Sequence, residues 1–303
     1  MKICIIGSSG QLGLHLYNTF KKNKKFFFLS STSKKYPFLK GDITKTKQLN
    51  LLLDKIAPSV IINCSAYTNV DKAETQKKKA SVINFKGVKK LSEYCYKNYI
   101  TLIHFSTDYV YSGEGNLSWL ESSKCNPVNY YGYSKLKGEK SIIKSKCKYI
   151  ILRLSWLYGK YGKKNFILKL IKLAKTKNKL YMVSDQYGSP TNTLLVILVL
   201  KNILKKIKNN EFKSGVFNLC PSRVVNRYEL SKYILSSFFK KDFYKKLQLN
   251  KIKTKDLNLV ALRPLNSKMS INKISKFLNI KIKDWKYYLN DYINLIKGKS
   301  DDK

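Results

Sequence analysis

Residues 2–20 read KICIIGSSGQLGLHLYNTF. Lys2 to Ile6 is a short apolar run rich in β-branched residues, and Gly7, Gly10 and Gly13 follow at three-residue intervals. From Leu12 to Phe20 the apolar residues recur at helical spacing. A strand, a glycine turn and a helix in that order form the opening of a dinucleotide-binding unit. Each glycine answers a physical demand. Gly7 permits a tight turn, Gly10 lets the backbone approach a pyrophosphate, and Gly13 allows the helix to pack closely on the strand. The amides that start the helix have no partners within it and face the phosphates.

The same alternation continues outward. Further strands are expected at Phe26–Leu29, Val60–Ala66, Ile100–Phe105 and Tyr149–Leu154, with helices around Leu49–Ile56 and between Ala80 and Tyr96. Strands alternating with helices predict a doubly wound parallel sheet. Such sheets bind ligands at the carboxyl ends of their strands, which here would gather Gly7, Ala66 and Thr107 at one edge. The second half is less regular. It reads as a helix over Asn165–Thr176, a short strand at Leu180–Val183, a loop at Asp185–Thr191, an apolar helix over Leu194–Ile207 and a strand at Val216–Leu219, with helical segments to the end. The expectation is therefore an α/β fold: a Rossmann-type doubly wound parallel sheet with a smaller, mostly helical substrate-binding lobe. Residues 1–155 with about 191–220 would form the dinucleotide-binding domain, and 156–190 with 221–303 the lobe.

Composition bounds the function. With 44% hydrophobic and 13% aromatic residues in 303, the chain can bury a substantial core. A formal charge of +42 raises the question of a nucleic-acid partner. Of the 60 basic residues, however, only Arg153, Arg223, Arg227 and Arg263 are arginine, and the lysines are scattered along the whole chain. Base-reading surfaces draw on the bidentate arginine fork, so the excess reads as a solvated basic surface with no specific nucleic-acid partner. The six cysteines form no Cys-x-x-Cys pair and have no histidine at metal spacing, so they read as buried apolar residues of a reducing compartment, and no metal-ligating residue is identified. The longest aliphatic run, Leu194–Leu200, is too short to span a bilayer. The opening residues form a strand rather than a leader, and a cytoplasmic protein without a membrane partner is expected.

The chemistry concentrates between Ile103 and Glu139. A hydroxyl (Thr107), a phenol (Tyr131) and an ammonium (Lys135) lie where one site can collect them. Tyr131 and Lys135, four residues apart, share one helix face. A nearby ammonium stabilises phenolate and so makes tyrosine a usable proton donor near neutral pH. The spacing alone is weak evidence. Five of the 22 tyrosines have lysine four residues later, and the lysine content by itself supplies about four such pairs. The histidines, His15 and His104, have no metal or nucleophile partner in the sequence and read as structural.

Seven motifs in order carry a resemblance: GSSGQLG at 7–13, SAYTNVDKAE at 65–74, STDYVYSG at 106–113, YGYSKLKGE at 131–139, RLSWLYG at 153–159, DQYGSPT at 185–191 and RPLNS at 263–267. Together they resemble the dTDP-4-dehydrorhamnose reductases, which are extended short-chain dehydrogenases, and the likeness covers nearly the whole chain. The order of motifs selects the Tyr131–Lys135 pair and makes Tyr133–Lys137 accidental. The resemblance implies catalysis by Thr107, Tyr131 and Lys135. It implies cofactor contacts at Gly7, Gly10, Gln11, Leu12 and Gly13, at Asp42 and Ile43, at Ala66, Tyr67 and Thr68, and at Tyr131 and Lys135. Substrate contacts would fall on Val70, Thr107, Asp108, Tyr109 and Trp156. It also implies a nucleotide-sugar substrate and a nicotinamide cofactor.

Two positions depart from the family pattern. Ser112 replaces the usual Asp on a turn. Ser30, Ser31, Thr32, Ser33, Lys34 and Lys35 follow the second strand without the acid that would hold a ribose 2′-hydroxyl. Hydroxyls and lysines there suit a 2′-phosphate, so NADPH is expected, with NADH allowed. Asp185 and Gln186 are left open between binding and loop-holding roles. Two other functions fit the same motifs: a reductase or epimerase of another nucleotide-linked 4-keto sugar, and a non-catalytic Rossmann binding subunit. The residues leave the nucleotide base, the sugar stereochemistry, any metal dependence and the oligomeric state open, and a homodimer is allowed.

Overall fold

The computed structural model describes residues 1–32, 36–161 and 165–298. Seven strands form the main sheet: β1 (Ile3–Ile6), β2 (Phe26–Ser30), β3 (Leu39–Lys40), β4 (Val60–Asn63), β5 (Thr101–Thr107), β6 (Tyr149–Leu154) and β9 (Gly215–Leu219). Their order is β3-β2-β1-β4-β5-β6-β9 and every pairing is parallel, so the expected doubly wound sheet is present. Two small sheets complete the strands. β7 (Lys179–Val183) pairs in parallel with β11 (Gln248–Ile252), and β8 (Tyr187–Gly188) pairs antiparallel with β10 (Val225–Asn226).

The helices of the first half are α1 (Gln11–Phe20), α2 (Thr46–Ile56), α3 (Val70–Thr75), α4 (Lys77–Ser81), α5 (Val88–Lys97) and α6 (Tyr130–Lys144), with a π-helical turn over Val82–Gly87 joining α4 to α5. Those of the second half are α7 (Phe166–Ala174), α8 (Thr193–Lys208), α9 (Arg227–Phe238), α10 (Lys241–Lys245), α11 (Asn272–Leu278) and α12 (Trp285–Lys297).

The period-2 alternation of the strands assigns each face of the sheet its cover. Ile3, Ile5, Val60, Ile62, Ile103, Ile150 and Leu152 meet Leu12 and Leu16 of α1, the apolar stripe of α8 and Ile274 and Leu278 of α11. The intervening residues Cys4, Ile6, Ile61, Leu102 and Ile151 face Leu49 and Leu53 of α2, Leu91 and Cys95 of α5 and Ile142 of α6. A separate core gathers α7, α9, α12 and β7 around Leu170, Leu230, Ile234 and Leu289. Four cysteines are buried as expected, but Cys64 and Cys125 are only partly so.

Two differences from expectation, and the outcome of one open reading, concern the chain beyond β6 and the loop after β4. The β4 strand stops at Asn63, because the next residues turn out of the sheet towards α3. The second half contains β8, β10 and β11, which polar sequences such as QLNKI at 248–252 did not signal. Asp185 and Gln186 serve the loop: the Asp185 carboxylate accepts from the Thr254 amide (3.0 Å) and hydroxyl (2.7 Å), and Gln186 Nε2 donates to Thr254 Oγ1 (3.1 Å). Among the described residues no helix is long and apolar enough to cross a membrane, and no cluster of three metal-ligating side chains occurs.

Candidate active site

The turn after β1 is built as its glycines require. Gly7 adopts φ +83°, a left-handed conformation that side chains disfavour, and a Cβ there would come within 2.6 Å of Ser65 N. A Cβ on Gly13 would lie 2.2 Å from Gly7 O, so only glycine lets α1 sit this close to the turn. Helix α1 has no acidic residue in its first turn and no side-chain cap, and its first helical bond runs from the Leu14 amide to Gly10 O. The positive helix end is thus left for an anion.

In front of it opens a cavity of about 860 Å³ lined by Gly7, Gly10, Asp42, Ile43 and Ala66. Ser31 and Thr32 line it where the 2′-substituent of an adenosine would be read, and Lys78 and Lys79 add positive charge. These features fit a dinucleotide. The other expected cofactor residues stand outside this lining. Gln11 Nε2 donates to Leu157 O (3.2 Å), and the Leu12 side chain is buried in the core, leaving its main chain to serve. Tyr67 is held by its amide on Asn84 Oδ1 (2.8 Å), and Thr68 is exposed. Lys34 lies outside the described residues.

Helix α6 is fixed at its start by three bonds. The Asn129 carboxamide accepts from the Gly132 amide (2.9 Å), Asn129 Nδ2 donates to Leu262 O (2.8 Å), and Glu74 of α3 accepts from the Tyr130 amide (2.7 Å). Further along, buried Glu139 is clasped by Arg153 of β6, with Nη2 to Oε2 at 2.6 Å, and Arg153 Nη1 donates to the Tyr111 hydroxyl (2.8 Å). Burial works against the Arg153 charge, but its bonds to Glu139 outweigh that and push its pKa up.

This clamp presents Tyr131 to the end of β5, where the phenol interacts with the Thr107 hydroxyl. Thr107 Oγ1 also donates to Asp108 Oδ1 (3.0 Å) and accepts from the Tyr109 amide (3.2 Å), and the Tyr109 ring meets Tyr131 edge-on at 5.7 Å. Asp108 Oδ2 is buried without a hydrogen bond, and burial raises its carboxyl to about 6. Thr107, Asp108, Tyr109 and Tyr131 are therefore gathered. By contrast Tyr133 is 41% exposed, with Lys137 Nζ 4.8 Å over its ring, a surface pair as the motif order implied.

Lys135 corrects one expectation. It is 2% exposed, and Nζ donates to Phe105 O (2.6 Å) and lies 3.2 Å from His104 Nε2, both on β5. Burial lowers it to about 8, against the attraction of Glu139. The Tyr131 phenol is raised, not lowered: burial dominates, the Thr107 hydroxyl only partly offsets it, and Asp108 adds to the rise. The expected depression by Lys135 is not expressed, because the Lys135 side-chain nitrogen is turned to the strand beneath.

The remaining expected contacts lie around this point. Val70 begins α3, beside Asp71, whose carboxylate binds Arg263 Nη2 (2.7 Å) and ties α3 to the 261–263 segment. Trp156 follows β6 with φ 45°, a strained left-handed turn of the kind that fixes a functional side chain. Arg227 Cζ lies 3.5 Å from the Trp156 ring centre and 4.8 Å from that of Phe166, above a cavity of about 140 Å³. Desolvation lowers Arg227 to about 10, while Tyr109 and Asp108 draw it upwards. Arg227, Lys78 and Lys79 also lie at these cavities without having been singled out in the sequence, and His104, read as structural, lies against Lys135. Rarity was the available signal for Arg227, since a chain this rich in lysine keeps arginine at four positions only.

Residues 1–297 match the model of the RmlD substrate binding domain family. The chain belongs to this family. It is similar to a dTDP-4-dehydrorhamnose reductase of Aggregatibacter actinomycetemcomitans, with 33% identity over 292 residues covering 96% of this chain and 97% of the relative. Among solved structures, it superposes on a dTDP-4-dehydrorhamnose reductase of Clostridium acetobutylicum with a TM-score of 0.85 and 30% identity, covering 98% of this chain and 100% of the other. It also matches the Bacillus anthracis dTDP-4-dehydrorhamnose reductase solved in complex with NADP, at TM-score 0.82 and 29% identity over 96% and 99% of the two chains. The Rossmann-type architecture and the resemblance drawn from the seven motifs therefore stand for this RmlD-family member.

Proposed function

We propose that the protein is an NAD(P)H-dependent reductase that converts the 4-keto group of dTDP-4-dehydrorhamnose to the alcohol of dTDP-L-rhamnose. The observation that carries the reading is the pairing of the Tyr131 phenol with the Thr107 hydroxyl at the carboxyl edge of β5, on the sheet edge where the glycine turn opens its cavity. Full-length similarity to relatives bearing that name supports the substrate.

Gly7, Gly10, Asp42, Ile43 and Ala66 would hold the dinucleotide, with the start of α1 on its pyrophosphate. Ser31, Thr32, Lys78 and Lys79, with no carboxylate beside the first two, favour the 2′-phosphate of NADPH, and NADH remains usable. A bound reduced nicotinamide supplies the hydride to the ketone carbon. Tyr131 gives its hydroxyl proton to the ketone oxygen, and Thr107 donates a hydrogen bond to the same oxygen as charge develops there. Lys135 would steady the nicotinamide ribose and the phenolate left on Tyr131. Trp156, Val70, Asp108 and Tyr109 would enclose the sugar. Arg227, stacked on Trp156, offers the cation that a sugar-linked diphosphate needs. The assignment to one domain each, residues 1–155 with about 191–220 for cofactor and the rest for substrate, belongs to this proposal.

The test is purified protein with NADPH or NADH and a panel of nucleotide-linked 4-keto sugars, followed at the nicotinamide absorbance. Turnover highest with dTDP-4-dehydrorhamnose supports the reading; faster turnover of another member would reassign the substrate.

A further inference from the structure

Below the site a chain of hydrogen bonds has a fixed direction. The Ser65 amide can only donate, and it donates to Asn63 Oδ1 (3.1 Å), as does the Ser65 hydroxyl. Asn63 is therefore oriented with Nδ2 towards His104 Nδ1, 3.1 Å away. An amide nitrogen donates, so His104 Nδ1 must accept and the ring proton must sit on Nε2. That Nε2–H points at Lys135 Nζ, 3.2 Å away. An ammonium has no lone pair with which to receive it, whereas a neutral amine has one. Both His104 (0% exposed) and Asn63 (1% exposed) are shut off from water, so a donor facing a donor here would be costly.

We propose that His104 is a positioning residue for Lys135: the Ser65–Asn63–His104 chain seats Lys135 against β5 as a neutral amine, and protonation releases it from that seat. Seated, Nζ accepts from His104 Nε2 and donates to Phe105 O (2.6 Å). Once protonated, it faces an N–H and turns to acceptors in the cleft above, on the side of Tyr131. Lys135 thus has two positions selected by its proton.

The charged and titratable groups around it agree with this balance. Cys64 lies after β4 and His104 on β5; on α6 itself are Tyr131 one turn before and Glu139 one turn after, the latter clasped by Arg153 of β6. Burial lowers Lys135 to about 8 with Glu139 and Cys64 opposing, and His104 is held well below its ordinary value by burial and by Lys135. The consequence for turnover rests on the reductase reading, but the hydrogen-bond direction does not.

The chain has only two histidines, His15 and His104, so ¹⁵N-labelled histidine gives two ring systems, and a His15→Gln variant assigns them. The expected result is a neutral Nε2–H tautomer for His104 and a step in its ring shifts near pH 8 that vanishes in Lys135→Met. Asn63→Asp should switch His104 to Nδ1–H, turn a lone pair on Lys135 and move the step up by about one pH unit or more. A residue that merely packed would leave the step in place. An Nδ1–H tautomer in the unmodified protein, or a step that persists in Lys135→Met, overturns the proposal. Should Asn63→Asp fail to fold, those two observations still decide. Failure of the reductase reading would appear separately, as absent turnover with the histidine signals unchanged.

Discussion

Arg153→Met removes the cation from an ion pair buried on both sides. Arg153 and Glu139 are 4% and 1% exposed, and the fork makes three contacts to the carboxylate: Nη2 to Oε2 at 2.6 Å, and Nε to Oε1 at 3.0 Å and to Oε2 at 3.2 Å. Methionine fills much of the volume but leaves the carboxylate without a partner in a dry environment. Breaking such a pair from one side costs about 3–5 kcal/mol. Tyr111 contributes little to that figure, since its hydroxyl keeps Asn218 Oδ1 (2.9 Å) and Leu120 O (3.0 Å). The double variant Arg153→Met/Glu139→Met has no orphaned charge and should recover most of the loss, because apolar replacements of buried pairs range from neutral to stabilising. Urea unfolding at pH 7, followed by far-UV circular dichroism and tryptophan fluorescence together, measures both. A single variant within about 1 kcal/mol of the unmodified protein, or a double variant less stable than the single, would refute the reasoning, because it would mean that Glu139 is solvated.

Three further outcomes are expected. Tyr131→Phe should lower kcat at least about 10²-fold with cofactor affinity nearly intact, while Tyr133→Phe on the exposed face stays close to neutral; equal losses would show that Tyr131 is not the proton donor. Arg227→Leu should raise KM for the nucleotide sugar much more than it lowers kcat, measured by initial rates, because a diphosphate held there would be bound alike in ground and transition states. Asp108 is raised by burial to about 6, so the folded state holds its proton more tightly than the unfolded chain does. Its contribution to stability is therefore present below its unfolded value of 3.8 and is lost as pH rises towards 6, by roughly 3 kcal/mol at most. Urea midpoints from pH 4 to 6.5 should fall less steeply in Asp108→Asn than in the unmodified protein.

What was legible in the sequence is what short-range patterns encode. The β-branched runs at 3–6, 60–63 and 149–154 could only be buried strands, and Gly7 and Gly13 could only mark a turn with a helix pressed against it. Tyr131 was singled out by the order of motifs and not by its lysine. The missed features depend on contacts between distant residues. Arg227 finds Trp156 across 71 positions, Asp71 finds Arg263 across 192, and β11 is a strand only because β7 offers an edge. The direction of the Tyr131 shift was missed for a similar reason. Four-residue spacing places Lys135 on the same helix face but cannot show that Phe105 O and His104 draw its nitrogen to the strand below.

Hydride delivery to the sugar is the step that defines the proposed reductase. Protein incubated with dTDP-4-dehydrorhamnose and NADPH carrying deuterium at both C4 positions, followed by mass spectrometry, reads it directly. The reading predicts dTDP-L-rhamnose one mass unit heavier than the unlabelled product, with the deuterium at sugar C4 and one NADPH consumed per sugar. Product without deuterium, or no product while the cofactor still binds, would contradict it.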